Sequence, residues 1–399
     1  MYNVVIIGGG IVGLASALKI KEANPKLRVA VVEKEKDLAS HQTGHNSGVI
    51  HSGLYYKPGS LKAKNCVDGY NQLIRFCDEE EINYELCGKI VVATNDSQLP
   101  TLDMLYERGV QNGLDGMKRL DKEELQSYEP HVNGVKGIFV PQTGIIDYKA
   151  VAYKYAEKIR HFNGDIFPDN KVTDIKEANG FIQVVTNRQT LTTRLVINCT
   201  GLFSDKIAKL TGMPVDYRII PFRGEYYKIK PEKEHLVKNL IYPVPDPNFP
   251  FLGVHFTRMI NGGIEAGPNA VLAYKREGYT KSDISFGDLA GTLGWKGFRK
   301  VAGKYWKTGL GEFYRSYSKN AFTKALQELL PDIEKNDLVP GGSGVRAQAC
   351  DRNGGLIDDF LILETEKVIN VGNAPSPAAT SSLSIGDHVA SLALKRFDK

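Results

Sequence analysis

Hydrophobic and polar positions divide this chain into short α and β stretches from its first residues. An apolar run at 4–7 leads into the glycine turn Gly8-x-Gly10-x-x-Gly13, then a helical stretch, then a second apolar run that stops at Glu33. Leu61, Val67, Leu73, Ile74 and Phe76 recur at helical spacing and predict a helix over 59–80. The same reading predicts a strand at 90–93 and helices over 101–113, 121–128 and 148–162. Two β runs, 172–175 and 181–186, precede a buried-type strand at 195–201 that ends in glycine, with a helix over 204–210. Residues 217–265 are rich in β-formers and prolines and read as a separate sheet, and 283–330 are helical in tendency. The end returns to α/β, with strands at 361–363 and 368–371 and a helix over 382–396.

The first of these stretches carries a specific chemistry. Gly8 lets the chain turn sharply after the strand, Gly10 lets a pyrophosphate approach the backbone, and Gly13 lets the helix pack close to the sheet. Phosphate then sits at a helix N-terminus, where unpaired N–H groups and the helix dipole favour negative charge. Glu33 stands where a carboxylate accepts ribose hydroxyl protons. Strand, turn, helix, second strand and acid together predict dinucleotide binding. The loop from Thr43 to His51 follows that second strand, and its Thr43, Gly44, Asn46, Ser47 and Gly48 can offer further donors to the cofactor.

Composition narrows the class. At 42% hydrophobic and 24% charged residues, the chain is that of an ordinary globular protein. Its net charge of +5 is too small to imply nucleic acid. Five cysteines, an odd and sparse set without a CxxC pair, fit reduced thiols in a cytosolic protein. The first strand starts almost at Met1, so no signal or transit peptide is expected, and no apolar run is long enough to span a membrane. No Cys/His/Asp cluster suggests a metal; His41 and His45 have i, i+4 spacing but lie in a glycine-containing loop.

Charge is nonetheless uneven. Residues 281–324 hold both tryptophans, Trp295 and Trp306, and nine basic against three acidic residues, a net +6. Phe298, Val301, Tyr305, Leu310, Phe313 and Tyr317 fall roughly on one helical side, although five glycines between 294 and 311 interrupt it. Basic and aromatic residues together suit an anionic membrane surface; a solvated helical cap would carry the same pattern.

His51 closes the loop after Glu33. A neutral imidazole suits removal of a hydroxyl proton, while a structural histidine would look the same in sequence. Ser376-PAATSS-Leu383 precedes the last helix; Thr380, Ser381 and Ser382 are natural caps, and that helix N-terminus could face a flavin.

The N-terminal fingerprint, the strand ending in Thr200-Gly201 and this C-terminal loop together resemble the D-amino-acid-oxidase-like FAD flavoenzymes. Four stretches are similar to the L-2-hydroxyglutarate oxidase/dehydrogenase family: His41-QTGHNSGVIHSGLYYKPGSLKA-Lys64, Pro221-FRGEYY, Gly344-VRAQ and Asn373-APSPAATSSLSIG. The similarity covers essentially the whole chain. It implies an α/β fold, with a Rossmann-type FAD-binding domain (1–80, 145–212 and 341–399) interleaved with a mixed α+β substrate domain (81–144 and 213–340) on an antiparallel-rich sheet. It implies non-covalent FAD held by Gly8, Gly10, Ile11, Val12, Gly13, Glu33, Lys34, Thr43, Gly44, Asn46, Ser47, Gly48, Val49, Val172, Thr200, Gly201, Ser381, Ser382 and Leu383. The implied reaction is oxidation of L-2-hydroxyglutarate to 2-oxoglutarate by hydride transfer to flavin N5, with His51 taking the hydroxyl proton. Electrons then pass to a quinone or oxygen, and the enzyme is cytoplasmic or peripheral on the inner membrane face. In related amino-acid oxidases an arginine comparable to Arg346 grips the substrate carboxylate. A five-carbon dicarboxylate needs two cationic anchors, so Arg223 and Arg258 are further candidates, with His255 and Tyr242 lining the site. An amine or amino-acid oxidase, or another 2-hydroxy-acid oxidase, is the alternative on the same fold.

Overall fold

A parallel pair of strands around the glycine turn organises the first half of the fold. In the computed structural model, which describes residues 1–246 and 252–397, the strand Tyr2–Ile7 runs parallel to Val29–Val32 on one side and Thr190–Asn198 on the other. Residues 247–251 of the β-rich 217–265 stretch therefore lie outside the described residues. Val29–Val32 pairs in turn with Asp165–Phe167. Thr190–Asn198 serves two neighbours. Its start pairs antiparallel with Phe181–Thr186 and its end pairs parallel with Val368–Asn373. All four residues of Val29–Val32 are buried, as expected of a parallel strand covered on both faces.

The helix Ile11–Ala23 is buried along most of its length because it is sandwiched between the sheet and the final helix, Ser382–Leu394. Contact there is at backbone distance: a Cβ on Gly13 would lie 2.0 Å from the Gly8 carbonyl oxygen, and one on Gly386 would lie 2.8 Å from that of Ala15.

The second sheet has nine strands, in the order 271–272, 217–229, 264–267, 255–258, 240–243, 89–93, 136–140 and 118–120, with Leu338–Asp351 also paired to the long strand Tyr217–Ile229. Its pairings are antiparallel except for Leu240–Pro243 against Lys89–Ala93. The first sheet thus takes strands from 2–32, 165–198 and 361–373, and the second from 89–140 and 217–351. The mixed α/β architecture is the one the hydrophobic pattern implies. A small third sheet (Val49–Ile50, Gly144–Ile146, Tyr84–Glu85) is built from the segments that flank 89–140 in sequence.

Helical tendency over 283–330 resolves into Phe286–Gly294, Lys296–Tyr317 and Lys319–Gln327. The glycines do not end the middle helix; it runs for 22 residues with a kink at Tyr305. The expected single aromatic side is split by packing. Phe298 and Val301 are buried against Ile220 and Cys350, while Leu310 and Tyr317 are exposed. Trp295 is also held inward, its Nε1 donating to the carbonyls of Cys350 and Asp351 at 3.1 Å. Trp306 faces solvent, as do Ile284, Phe286, Leu293 and Tyr314. Among the described residues no helix is long and apolar enough to cross a membrane.

Candidate active site

The cofactor cradle starts at the N-terminus of Ile11–Ala23, where the N-cap residue is Gly10 and the Ile11 N–H donates to Thr43 Oγ1 at 3.0 Å. The N–H groups that follow Ile11 in the first turn need an external acceptor, and a pyrophosphate supplies one. Space exists for it: a Cβ on Gly10 would meet nothing nearer than Thr43 Oγ1 at 3.4 Å. Gly8 has φ +113°, and a Cβ there would lie 2.6 Å from the Cys199 oxygen, so turn and strand end admit no side chain. Glu33 is buried, with one oxygen accepting from Gly9 N–H (2.7 Å) and the other from Glu35 N–H (2.9 Å). Each oxygen keeps a lone pair for a ribose hydroxyl. The Asn170 N–H donates to the Glu33 carbonyl (2.7 Å), which brings Val172 beside that strand end. Ser381, at the N-cap of the last helix, has a buried Oγ with no partner, as a cofactor-facing donor would. Ser382 Oγ lies 3.2 Å from the Tyr155 hydroxyl, and Leu383 is buried in the core. These groups fit FAD.

The 41–51 loop is stitched to itself and to both sheets. Asn46 donates to the carbonyls of Gln42 and Thr43 and accepts from Gly48 N–H, so it shapes the loop. Gln42 Oε1 accepts from the Ala347 amide at 3.0 Å. Gly44 and Gly201 are also pressed close, with a Cβ on either meeting a polar atom within 2.7 Å. Thr200 Oγ1 donates to Asn198 Oδ1. Lys34 turns elsewhere: its ammonium pairs with Glu35 and with Glu277 (2.7 Å), the same two carboxylates that His41 Nε2 meets at 3.0 and 2.9 Å. Glu35, His41 and Glu277 together have metal-like geometry, but the Lys34 ammonium already supplies the positive charge there. Burial opposes the Glu277 charge, yet hydrogen bonds from His41 and Lys34 outweigh it and hold the carboxyl down at about 2. His41 is shifted upward, burial being outweighed by Glu277.

His51 lies where this loop meets the second sheet. Burial pushes its pKa down to about 3, helped by the positive charge of Lys89, then His255, Lys62 and Arg346. The residue as a whole is only partly buried. His255 is likewise held down to about 3 by burial, with Arg346 and Lys89 acting in the same direction and a hydrogen bond to the Gly253 carbonyl (2.9 Å) opposing. Its ring packs against Tyr242 with centroids 4.0 Å apart and the planes tilted by 32°. Two neutral imidazoles flanked by cations form a pocket that favours an anionic ligand.

Strand parity decides which expected arginines belong to it. Arg346 is opposite Phe222 in the ladder, so Arg223, one residue on, projects from the other face. There Arg223 is buried, pairing with Glu225 (2.8 Å) and donating to the Thr280 carbonyl (3.0 Å). Arg258 follows His255 by three residues on one strand and also projects away, to Glu85 and Asn239. Neither is brought to the histidines. His51, His255, Tyr242 and Arg346 are brought together. Sequence reasoning missed Lys89, which begins a strand whose five residues are all buried, a place where lysine is out of pattern.

Comparison with known proteins agrees with this cradle. The family described as FAD dependent oxidoreductase matches residues 3–392. An L-2-hydroxyglutarate dehydrogenase of Indibacter alkaliphilus is 63% identical, over 99% of this chain and 100% of the relative. That of Escherichia coli strain K12 is 45% identical, over 98% of this chain and 93% of the relative. The solved structure of L-α-glycerophosphate oxidase from Mycoplasma pneumoniae with FAD bound has a TM-score of 0.79 at 24% identity, covering 99% of this chain and 94% of that one. Fold, cradle and full-length likeness converge: the chain belongs to the FAD-dependent oxidoreductase family, among the L-2-hydroxyglutarate dehydrogenases.

Proposed function

We propose that this chain oxidises L-2-hydroxyglutarate to 2-oxoglutarate. The observation that carries the reading is the pair of neutral histidines flanked by Arg346 and Lys89, a pocket suited to a dianion. FAD, held without a covalent bond, supplies the two-electron acceptor when bound. Gly8, Gly10, Ile11, Val12 and Gly13 hold its pyrophosphate, Glu33 its ribose, and Thr43, Ser47, Val49, Ser381, Ser382 and Leu383 approach the flavin side. The first sheet with its helices forms the cofactor domain and the second sheet the substrate domain.

His51 takes the hydroxyl proton. In the ligand-free pocket it is a weak base, because burial and cations disfavour the imidazolium. A dianionic substrate offsets those cations and raises its basicity when the proton has to move. Arg346 grips the carboxylate next to the reacting carbon, its planar fork matching two oxygens.

Electrons leave to a quinone or to oxygen. The helices over 286–317 rest on an anionic membrane surface from the cytoplasmic side, a reading supported by exposed Phe286, Leu293, Trp306, Leu310 and Tyr314 among many lysines. Anaerobic addition of L-2-hydroxyglutarate to the yellow protein should bleach the flavin, and oxygen or a soluble quinone should then restore it. Bleaching by amino acids with ammonia release, and none by L-2-hydroxyglutarate, would replace this reading with an amine oxidase.

A further inference from the structure

Lys89 is 1% exposed, among the most deeply buried large side chains of the protein. Its ammonium lies 4.5 Å from the centroid of the Tyr55 ring and 5.0 Å from that of Tyr242. Among the described residues no carboxylate pairs with it and no oxygen accepts from it. A desolvated cation held by two ring faces and no anion is costly to keep unless an anion arrives. Tyr55 repeats the signal, because its hydroxyl is buried without a hydrogen-bond partner. Two unmet donors therefore belong to one contact. Lys89 also faces the reacting region, since the Tyr242 ring that it approaches lies against His255 with centroids 4.0 Å apart.

We propose that Lys89 binds the distal C5 carboxylate of the substrate, with the Tyr55 hydroxyl as its second donor, while Arg346 holds the carboxylate beside the reacting carbon. This rests on the L-2-hydroxyglutarate reading and adds the anchor that sets chain-length and charge selectivity. Lys89 comes from one strand of the second sheet and Arg346 from another, so the two charges are fixed by sheet geometry. The tyrosine faces stabilise the ammonium before the ligand binds, and burial lowers its pKa to about 7, so its charge varies near neutral pH.

The test compares L-2-hydroxyglutarate with L-2-hydroxyvalerate, which carries a methyl group in place of the distal carboxylate. In Lys89→Met holoenzyme, KM for the dicarboxylate should rise by at least about thirtyfold, as for loss of one partner of a buried charge pair. KM for hydroxyvalerate, which has no distal carboxylate to lose a partner, should change little, collapsing the KM preference between the two. Equal losses on both substrates would overturn the assignment. Should the variant lose FAD, wild-type holoenzyme answers the same question. Its affinity for glutarate relative to valerate, read by flavin difference spectra, should fall as pH rises above 7, because Lys89 loses its proton. A ratio constant from pH 6 to 9 would overturn the proposal as well. Failure of wild type to be bleached by L-2-hydroxyglutarate would instead overturn the reading beneath it.

Discussion

The backbone amide of His51 donates to Thr380 Oγ1 across 3.1 Å, joining two loops 329 residues apart. The Tyr148 hydroxyl lies 2.7 Å from the same oxygen and donates its proton to the Val49 carbonyl. Proton accounting then fixes the roles: Thr380 accepts from His51 and donates to Tyr148. The loop before the last helix thereby sets the position of the proposed base.

Thr380→Val keeps the side-chain shape and removes both hydrogen bonds. Thr380 is fully buried, so unfolding free energy should drop by about 1–3 kcal/mol. FAD content should hold, while flavin reduction slows because His51 is no longer fixed. Thermal melts and stopped-flow reduction read the two effects; an unchanged reduction rate would detach Thr380 from the mechanism.

His51→Ala should slow flavin reduction by roughly a hundredfold or more, with folding and FAD content near wild type. For wild type, kcat/KM should show no acid limb from His51 at mildly acid pH, since its pKa is near about 3. An inflection near 6.5 that vanishes in His51→Ala would contradict the burial argument.

Two glycines of the turn should fail differently. Gly10→Val projects into the open space beside Thr43 and should give folded apoprotein. Gly13→Ala places a methyl 2.0 Å from the Gly8 oxygen and should disrupt the packing of helix on strand itself. Flavin absorbance and circular dichroism on both variants separate cofactor loss from misfolding.

The Lys34, Glu35, His41 and Glu277 network should give stability a maximum in mildly acid solution. Glu277, lowered to about 2, contributes above its ordinary carboxylate range and loses that contribution as pH falls toward 2. His41, raised, contributes below its ordinary value of 6.5 and loses the contribution as pH climbs through its folded pKa. Melting temperature of Glu277→Gln should fall most near pH 5.5 and least at pH 2.5. A uniform loss across that range would mean that the charges do not matter.

Anionic liposomes should bind the wild type at low salt and release it at high salt. Trp306→Ser, Leu310→Ser and Tyr314→Ser combined should weaken flotation, because those side chains are exposed. Trp295→Ser should instead cost stability, since its indole is bonded inward. Absence of wild-type binding at low salt would leave the 281–324 segment a solvated cap.

Local patterns carried much of this fold. The helix at Leu61–Glu79 and the strand at Phe181–Thr186 lie within a residue or two of where periodicity puts them, because each depends on its own side chains. Arg258 and His255 could have been separated from sequence as well, since residues three apart on a strand face opposite ways. Arg223 could not, because its face depends on the register between Tyr217–Ile229 and Leu338–Asp351, which distant residues set. Lys89 was hidden for a similar reason: Tyr55 and Tyr242 reach it from a loop and a neighbouring strand, and only their convergence distinguishes it from a lysine at a strand start.

The two proposed anchors, Arg346 and Lys89, read charge and ignore oxidation state. 2-Oxoglutarate keeps both carboxylates of the alcohol from which it forms, so the anchors that capture substrate also retain product. Product inhibition is therefore built into the recognition. Turnover in a cell follows the ratio of the two dianions, and other short dicarboxylates compete for the same seat.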